Sequence, residues 1–289
     1  NIDFRKPTID LIQSLGVCFR GNTYWDGVKP ICYTDRTASP TAMFGPVNAV
    51  PGSVGVRTLN LSDYVNRIYS QFLNKDKDYT HDSVSHDFRD EGFTASRLRQ
   101  KEISLYGITD AWHAAKVDAY LLRLAKYAKN TVSFKTGGDA VTINMGEIFY
   151  WCNKNANTGR IIAVGANNIT LDKPFTVNTG ITYKALLRKD DGTAIERTVD
   201  NTATGLGSKT LIYFTSAISS VGVNAIYGIG VSGLYYDLYR LVKKEINGGE
   251  YNLAGLLYDP GIYSIYLNDP YDAPGTRIKK FKKTSSFIR

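Results

Sequence analysis

Imidazoles and thiols, the side chains that most often carry catalysis or bind metals, are scarce in this 289-residue chain, which has three histidines and three cysteines. His81 and His86 are each followed by an aspartate, Asp82 and Asp87. Neighbours along a strand point to opposite faces, however, and no Gly-x-Ser-x-Gly elbow accompanies them, so no nucleophilic triad is spelled out. Cys18, Cys32 and Cys152 are too few and scattered for a disulfide framework, and none lies in a CxxC pair that would hold zinc. They read as reduced, buried thiols of a protein folded in a reducing compartment. Long apolar runs are missing: nothing approaches the roughly 18 consecutive residues that cross a bilayer, and no charged and apolar leader opens the chain. Acidic residues are absent from the last stretch, which carries Arg277, Lys279, Lys280, Lys282, Lys283 and Arg289. Without those six the net charge of +8 falls to +2. The body is therefore nearly neutral, and the basic end reads as a solvated arm or linker, with contact to nucleic acid, an acidic protein or a membrane surface as the alternative. A start at Asn1 rather than Met suggests a segment of a longer or processed polypeptide.

Tyrosine, by contrast, is plentiful at 20 residues, and with Thr- and Val-rich runs it leans the chain toward β structure. An apolar content of 43% is enough for one large domain, or two to three small ones, with a core that needs no staples. The most informative stretch runs from Arg97 to Asn153. Lys101–Ile108 alternates imperfectly, as a half-buried strand does. Thr109 or Asp110 can cap a helix, and no Gly or Pro interrupts the chain from Ala111 to Lys129, so the long helix is placed at 110–129. Ala114, Val117, Leu121, Leu124, Ala125 and Ala128 recur at three- and four-residue steps as its buried face, with His113, Lys116, Arg123 and Lys126 on or beside the other side. After Asn130, Val132–Thr136 reads as a strand ending at Gly137-Gly138. Small alanines let such a helix lie close on a sheet, which is packing hardware.

Several chemical motifs are present only in part. Gly228, Gly230 and Gly233 spell GxGxxG, with Glu250 near the offset of a ribose-binding acid. Dinucleotide binding also needs a βαβ unit, and Tyr235, Tyr236 and Tyr239 crowd the supposed helix. Gly205-Leu206-Gly207-Ser208-Lys209-Thr210 lacks a contiguous GK[ST] and precedes a β-type run, so a hairpin turn is expected. Asn74, Asp76, Asp78 and Asp82 suggest a calcium loop, but Tyr79 stands where glycine is needed and Ser85 where the bidentate Glu belongs. Asp190 and Asp191 sit in a turn, while Glu147 and Glu196 have no recognisable partner at the separation acid-base hydrolysis requires. No catalytic, cofactor-binding or metal-ligating residue is assigned, and no cofactor is expected.

The order of segments carries a further signal. Arg97 to Glu147 reads R…E…GIT…A…A…A…YLL…K…TVSFKTG…V…GE, preceded by Ile9–Leu15, Phe19–Gly27 and Asn66–Tyr79. It is followed by Gly159–Ile162, Ile169–Pro174 and Tyr183–Arg188, and then by Tyr239–Lys243, Glu250–Gly255 and Tyr258–Tyr263. In this order the segments resemble the central tail hub proteins of long-tailed phages, the tip attachment protein J family of lambda-like phages. Gly146-Glu147 stands where that family has Gly-Asp. The likeness extends over most of Ile9 to Leu267.

The resemblance implies an α+β, mainly β fold: baseplate-hub-like β domains with one long packed helix and a small inserted β-barrel or sandwich. The expected division is 1–59, a helix-plus-hairpin subdomain; 60–150, a subdomain holding the long helix; 151–232, the inserted β domain; 233–267, the closing hairpin; and 268–289, the basic tail. It further implies a non-enzymatic homotrimeric hub at the distal end of the tail, assembled in the bacterial cytoplasm. Its partners would be the distal tail, tail tip and tape measure proteins and, in transit, DNA, with the host receptor bound by other segments or proteins. Lys116, Tyr120 and Arg123, expected on the exposed side of the helix, are the candidate contacts between subunits. The alternative is a glycan-binding or glycan-processing β protein of a phage tail, stacking sugars on Trp25, Trp112 and Trp151.

Overall fold

The protein is described here from a computed structural model, which covers residues 8–25, 28–58, 65–89, 97 and 99–266. The basic tail and Asp26-Gly27, a dipeptide whose type is favoured in hairpin turns, lie outside these residues. Along the chain the first elements are α1 (Thr8–Gly16), β1 (Gly21–Trp25), β2 (Pro30–Thr34), β3 (Pro40–Phe44), β4 (Gly55–Thr58), β5 (Arg67–Asn74), β6 (Thr80–Asp87), β7 (Gln100–Ser104) and α2 (Ala111–Tyr127). Then follow β8 (Asn130–Thr136), β9 (Ile148–Cys152), β10 (Asn157–Val164), β11 (Asn168–Val177), β12 (Tyr183–Arg188), β13 (Ala194–Thr198), α3 (Asn201–Thr204), β14 (Gly207–Tyr213), β15 (Ile226–Val231), β16 (Tyr236–Asn247) and β17 (Glu250–Leu257). The fold is mainly β. Two compact units form, one from described residues within 1–37, 59–129 and 259–289, the other from those within 38–58 and 130–258.

In the first unit β1 and β2 make a hairpin, and β5 lies centrally between antiparallel β6 and parallel β7. Alternation along β5 puts Ile68, Ser70, Phe72 and Asn74 on its buried side. Helix α2 packs on that side. Its Asp110 caps the first turn, accepting from the amides of Trp112 at 2.9 Å and His113 at 3.2 Å. Burial alone would raise the Asp110 carboxyl, but the Lys75 ammonium at 3.0 Å and the two helix amides outweigh it and hold it below the usual range. Strand β7 stops at Ser104, short of the expected Ile108, because Gly107 turns the chain at φ 89° while Leu105 and Ile108 drop into the core beside α2.

The second unit holds two six-stranded sheets. In one, ordered β3-β9-β16-β17-β8-β4, an apolar cluster of Phe44, Phe134, Phe149, Trp151, Tyr239 and Leu253 fills the buried face. The other, ordered β13-β12-β15-β10-β11-β14, curls until its edges meet at a bridge between Val199 and Phe214, around a core including Ile161, Leu171, Tyr183, Leu187 and Ile212. Closing the edges in this way leaves fewer backbone groups open to strand addition. Met43, Cys152, Leu186, Ile226 and Tyr235 form a further cluster of the same unit.

The glycines that spell GxGxxG serve this packing. Gly228 and Gly230 lie in β15, and β16, a strand, stands where the motif requires a helix. A Cβ on Gly228 would fall 2.4 Å from the Cys152 sulfur, and one on Gly230 would fall 2.4 Å from the Tyr235 Cβ. Gly230→Ala is therefore expected to destabilise the fold by roughly 1–3 kcal/mol, read as a lower urea midpoint; an unchanged midpoint would refute the packing role. Gly205 and Gly207 also depart from expectation. Rather than turning a hairpin, Gly205 ends α3 at φ 77° and Gly207 opens β14 at φ 87°. Asp200 caps that short helix through the amides of Thr202 and Ala203.

The thiols likewise differ among themselves. Cys152 is buried, with its pKa pushed up to about 12 by desolvation, whereas Cys18 is half-buried and Cys32 exposed. The expectation of three buried thiols holds for Cys152 alone, because β2 belongs to a two-stranded hairpin that leaves Cys32 in solvent.

Candidate functional site

Helix α2 gathers the polar groups of the first unit. Its buried surface is wider than one stripe: besides Ala114, Val117 and Ala128, the side chains of Ala115, Asp118, Ala119, Tyr120 and Leu122 are buried, while Leu121, Leu124 and Ala125 are half-buried. The cause is a second layer. One side of α2 meets β5 and β6, and another meets a 3₁₀ stretch, Pro260–Tyr266, which returns along the helix.

The three candidate contact residues take different positions. Tyr120, expected in solvent, is 7% exposed, with its hydroxyl donated to the Asp35 carboxylate and the Arg20 guanidinium 5.6 Å from its ring centre. Arg123 is half-buried and its Nη1 donates to the Gly261 carbonyl at 3.1 Å and to Ser264 Oγ at 2.5 Å. Lys116 is half-buried too, its ammonium 3.3 Å from the centre of the Trp112 ring, a cation–π arrangement. His113, also expected outside, is half-buried with Nε2 2.7 Å from the Cys18 carbonyl. Side chains on the outer half of α2 are thus held from several directions: His113 by the Cys18 carbonyl, Tyr120 by Asp35 and Arg20, Arg123 by Gly261 and Ser264, and Lys116 by Trp112 of the helix itself.

Asp118 has no counterpart in the sequence reading. Fully buried, it accepts the Ser70 hydroxyl on Oδ1, while Oδ2 has no hydrogen-bond partner among the described residues. Burial drives the pKa from 3.8 to about 7, with the Ser70 hydrogen bond and the nearby His86 opposing it. One signal was available: Asp118 follows Ala114 and Val117 at steps of four and one, inside the face that the alanines define. Apolar periodicity passes over an acid in that place.

Elsewhere the carboxylates considered for hydrolysis are tied down separately. Glu196 accepts from Lys184 at 2.7 Å and from the Tyr235 hydroxyl at 2.8 Å, and burial together with that acid drives the Tyr235 phenol well above its usual range. Glu147 accepts from the Asn144 amide at 2.9 Å and from Thr41 at 3.1 Å. Asp191 accepts from both the amide and the hydroxyl of Thr193. The would-be calcium ligand Asp82 is engaged by Lys77 at 2.7 Å and Asn74 at 2.8 Å. No group of three or more His, Cys, Asp or Glu side chains suited to a metal ion occurs among the described residues. Of the tryptophans suggested for sugar stacking, Trp25 is 61% exposed, Trp151 is 3% exposed against the Phe134 ring, and Trp112 lies under Lys116.

Polar groups are thus spent on holding elements together. The profile of a family described as "Putative phage tail protein" matches residues 7–164, more than half of the chain. The chain belongs to that phage tail protein family. Over 262 residues this tail protein is 22% identical to the Tip attachment protein J of Escherichia phage SECphi27, an alignment covering 88% of this chain and 22% of the relative. It therefore spans 22% of the length of that curated relative. Among solved structures, it is similar to a chain in the virion of a native gene transfer agent particle, at 13% identity and a TM-score of 0.46, covering 93% of this chain and 41% of the other. A tail protein from Neisseria meningitidis MC58 is similar at 8% identity and a TM-score of 0.42, covering 91% of this chain and 59% of the other.

Proposed function

We propose that this phage tail protein is the central hub at the distal tail tip: a homotrimeric ring that links the tail tube to the tip or receptor-binding parts. The ring surrounds the channel through which the tape measure protein and then DNA pass. The reading rests on the alignment with a tip attachment protein over 88% of the chain. Its chemistry is mechanical: shape and contacts carry the function, and no bond is made or broken. The separate hydrogen-bonded engagement of Glu147, Asp191 and Glu196 is in keeping with that.

Contacts between copies along α2 through Lys116, Tyr120 and Arg123 are made by side chains that are each also engaged within their own chain. Light scattering on the purified chain should give a mass three times that of one chain, and antibody labelling of virions should mark the distal end of the tube. A monomer at assembly concentrations, or label elsewhere on the particle, would overturn the hub. Release of reducing ends from host polysaccharide would point instead to the glycan-processing alternative.

A further inference from the structure

The stretch Pro260–Tyr266 is unusual in length for its geometry. It is a seven-residue 3₁₀ helix, whereas runs beyond three or four residues are uncommon because the hydrogen bonds are poorly aligned and side chains eclipse. Such a segment does not hold its shape by itself. What imposes the shape is α2. Ile262 and Tyr263 are buried at 2% and 8% exposure. The Tyr263 hydroxyl donates to Asp35 at 2.5 Å, the same carboxylate that accepts from Tyr120, and Arg123 grips Gly261 and Ser264. Gly261 lies flush on the helix, since a Cβ there would come within 3.0 Å of the Tyr127 ring. Inside the stretch, Asp259 Oδ1 accepts from the Gly261 amide at 2.7 Å and Ser264 Oγ donates to the Gly261 carbonyl at 2.9 Å. Among the described side chains, the burial of Ile262 and Tyr263 and a handful of polar anchors offset the ordering of the stretch, which makes its docking marginal beside the hydrogen-bonded ladder of β5 and β6.

We propose that Pro260–Tyr266 is a releasable strap on α2. It docks and undocks as one unit while β5, β6 and the helix stay folded, and its release uncovers Tyr120 and Arg123. On the hub reading, on which this last step rests, the strap passes load from the rest of a longer polypeptide to α2 when the tip engages its target.

Native-state hydrogen exchange on the full chain at sub-denaturing urea tests the strap without reference to the tail. Amides of 261–266 should exchange through an opening that leaves β5 and β6 protected. Arg123→Ala and, separately, Tyr263→Phe should speed strap exchange about tenfold or more with the β5 and β6 amides unchanged. Strap and sheet amides exchanging together, or strap exchange unmoved by both variants, would overturn the proposal. Phage carrying Arg123→Ala should lose its genome on storage several-fold faster than the parent. Parental stability in those particles, alongside faster strap exchange, would remove the coupling to ejection and leave the trimer and tail-location measurements to judge the hub itself.

Discussion

Asp118→Asn is expected to stabilise the protein at pH 8 by about 2–4 kcal/mol, and the gain should vanish as the pH is lowered to 4. The sign follows from the direction of the shift. A carboxyl whose pKa rises from 3.8 when unfolded to about 7 when folded binds its proton more tightly in the native state. Stability from this group is therefore fully present below the lower value and lost as pH rises toward the upper one. A shift of that size corresponds to roughly 4 kcal/mol, from which the cost of a buried amide hydrogen without a partner, about 1–3 kcal/mol, is subtracted in part, because the neutral acid carries a similar burden. Asp82, Asp87 and Asp110 act in the opposite sense. In Asp87 it is chiefly the hydrogen bond from Arg89 that lowers the pKa, and in Asp82 and Asp110 hydrogen bonds and lysine charges outweigh burial, so their contribution is lost as pH falls below about 4. Urea titrations of parent and variant at several pH values separate the two windows. A difference between them that is the same at pH 4 and pH 8 would show that Asp118 does not titrate as its burial dictates.

Phe149→Ala should act in the opposite direction, destabilising by about 3–5 kcal/mol, since a fully buried ring leaves a cavity as well as losing its transfer energy. The ring stands edge-on to Phe44 at 5.4 Å and to Phe134 at 6.0 Å, and stacks with Tyr239 at 5.9 Å, contacts that add to area burial. A second residue depends on the same ring. Gly255 in β17 is so close that a Cβ would fall 2.6 Å from Phe149 Cζ and 2.8 Å from the Tyr239 Cβ. Alone, Gly255→Ala should destabilise by roughly 1–3 kcal/mol through overpacking. Combined with Phe149→Ala, part of that clash disappears and the new methyl occupies some of the cavity. The double variant should then lose less than the two single losses together, and strict additivity in a double-mutant cycle would argue that ring and glycine do not share one packing site.

Much of the secondary structure could be read from the chain because local rules decided it. The Asp110 cap and uninterrupted stretch that follows place α2 to within two residues of its end, and the turn holding Asp190 and Asp191 connects antiparallel β12 and β13. The three-stranded sheet and the curled sheet depend on pairings between distant segments, which periodicity does not encode: β5 with β7, β10 with β15, and the bridge from Val199 to Phe214. Side-chain placement failed for the same reason. Tyr120, Arg123 and His113 sit where a two-sided helix shows solvent, but Cys18 meets His113, Arg20 and Asp35 meet Tyr120, and Pro260–Tyr266 covers Arg123, and nothing in residues 111–127 announces cover supplied from both earlier and later in the chain.

The parallel pairing of β3 with β9 also bears on synthesis. Pro40 faces Ile148, so about 100 residues, including β5, β6, β7 and α2, leave the ribosome before β3 meets its neighbour. During that interval the Ala42, Met43 and Phe44 strand has no ladder and no covering face. Nascent chains thus carry an exposed apolar segment for several seconds at ordinary translation speeds, an interval in which association with other chains competes with folding.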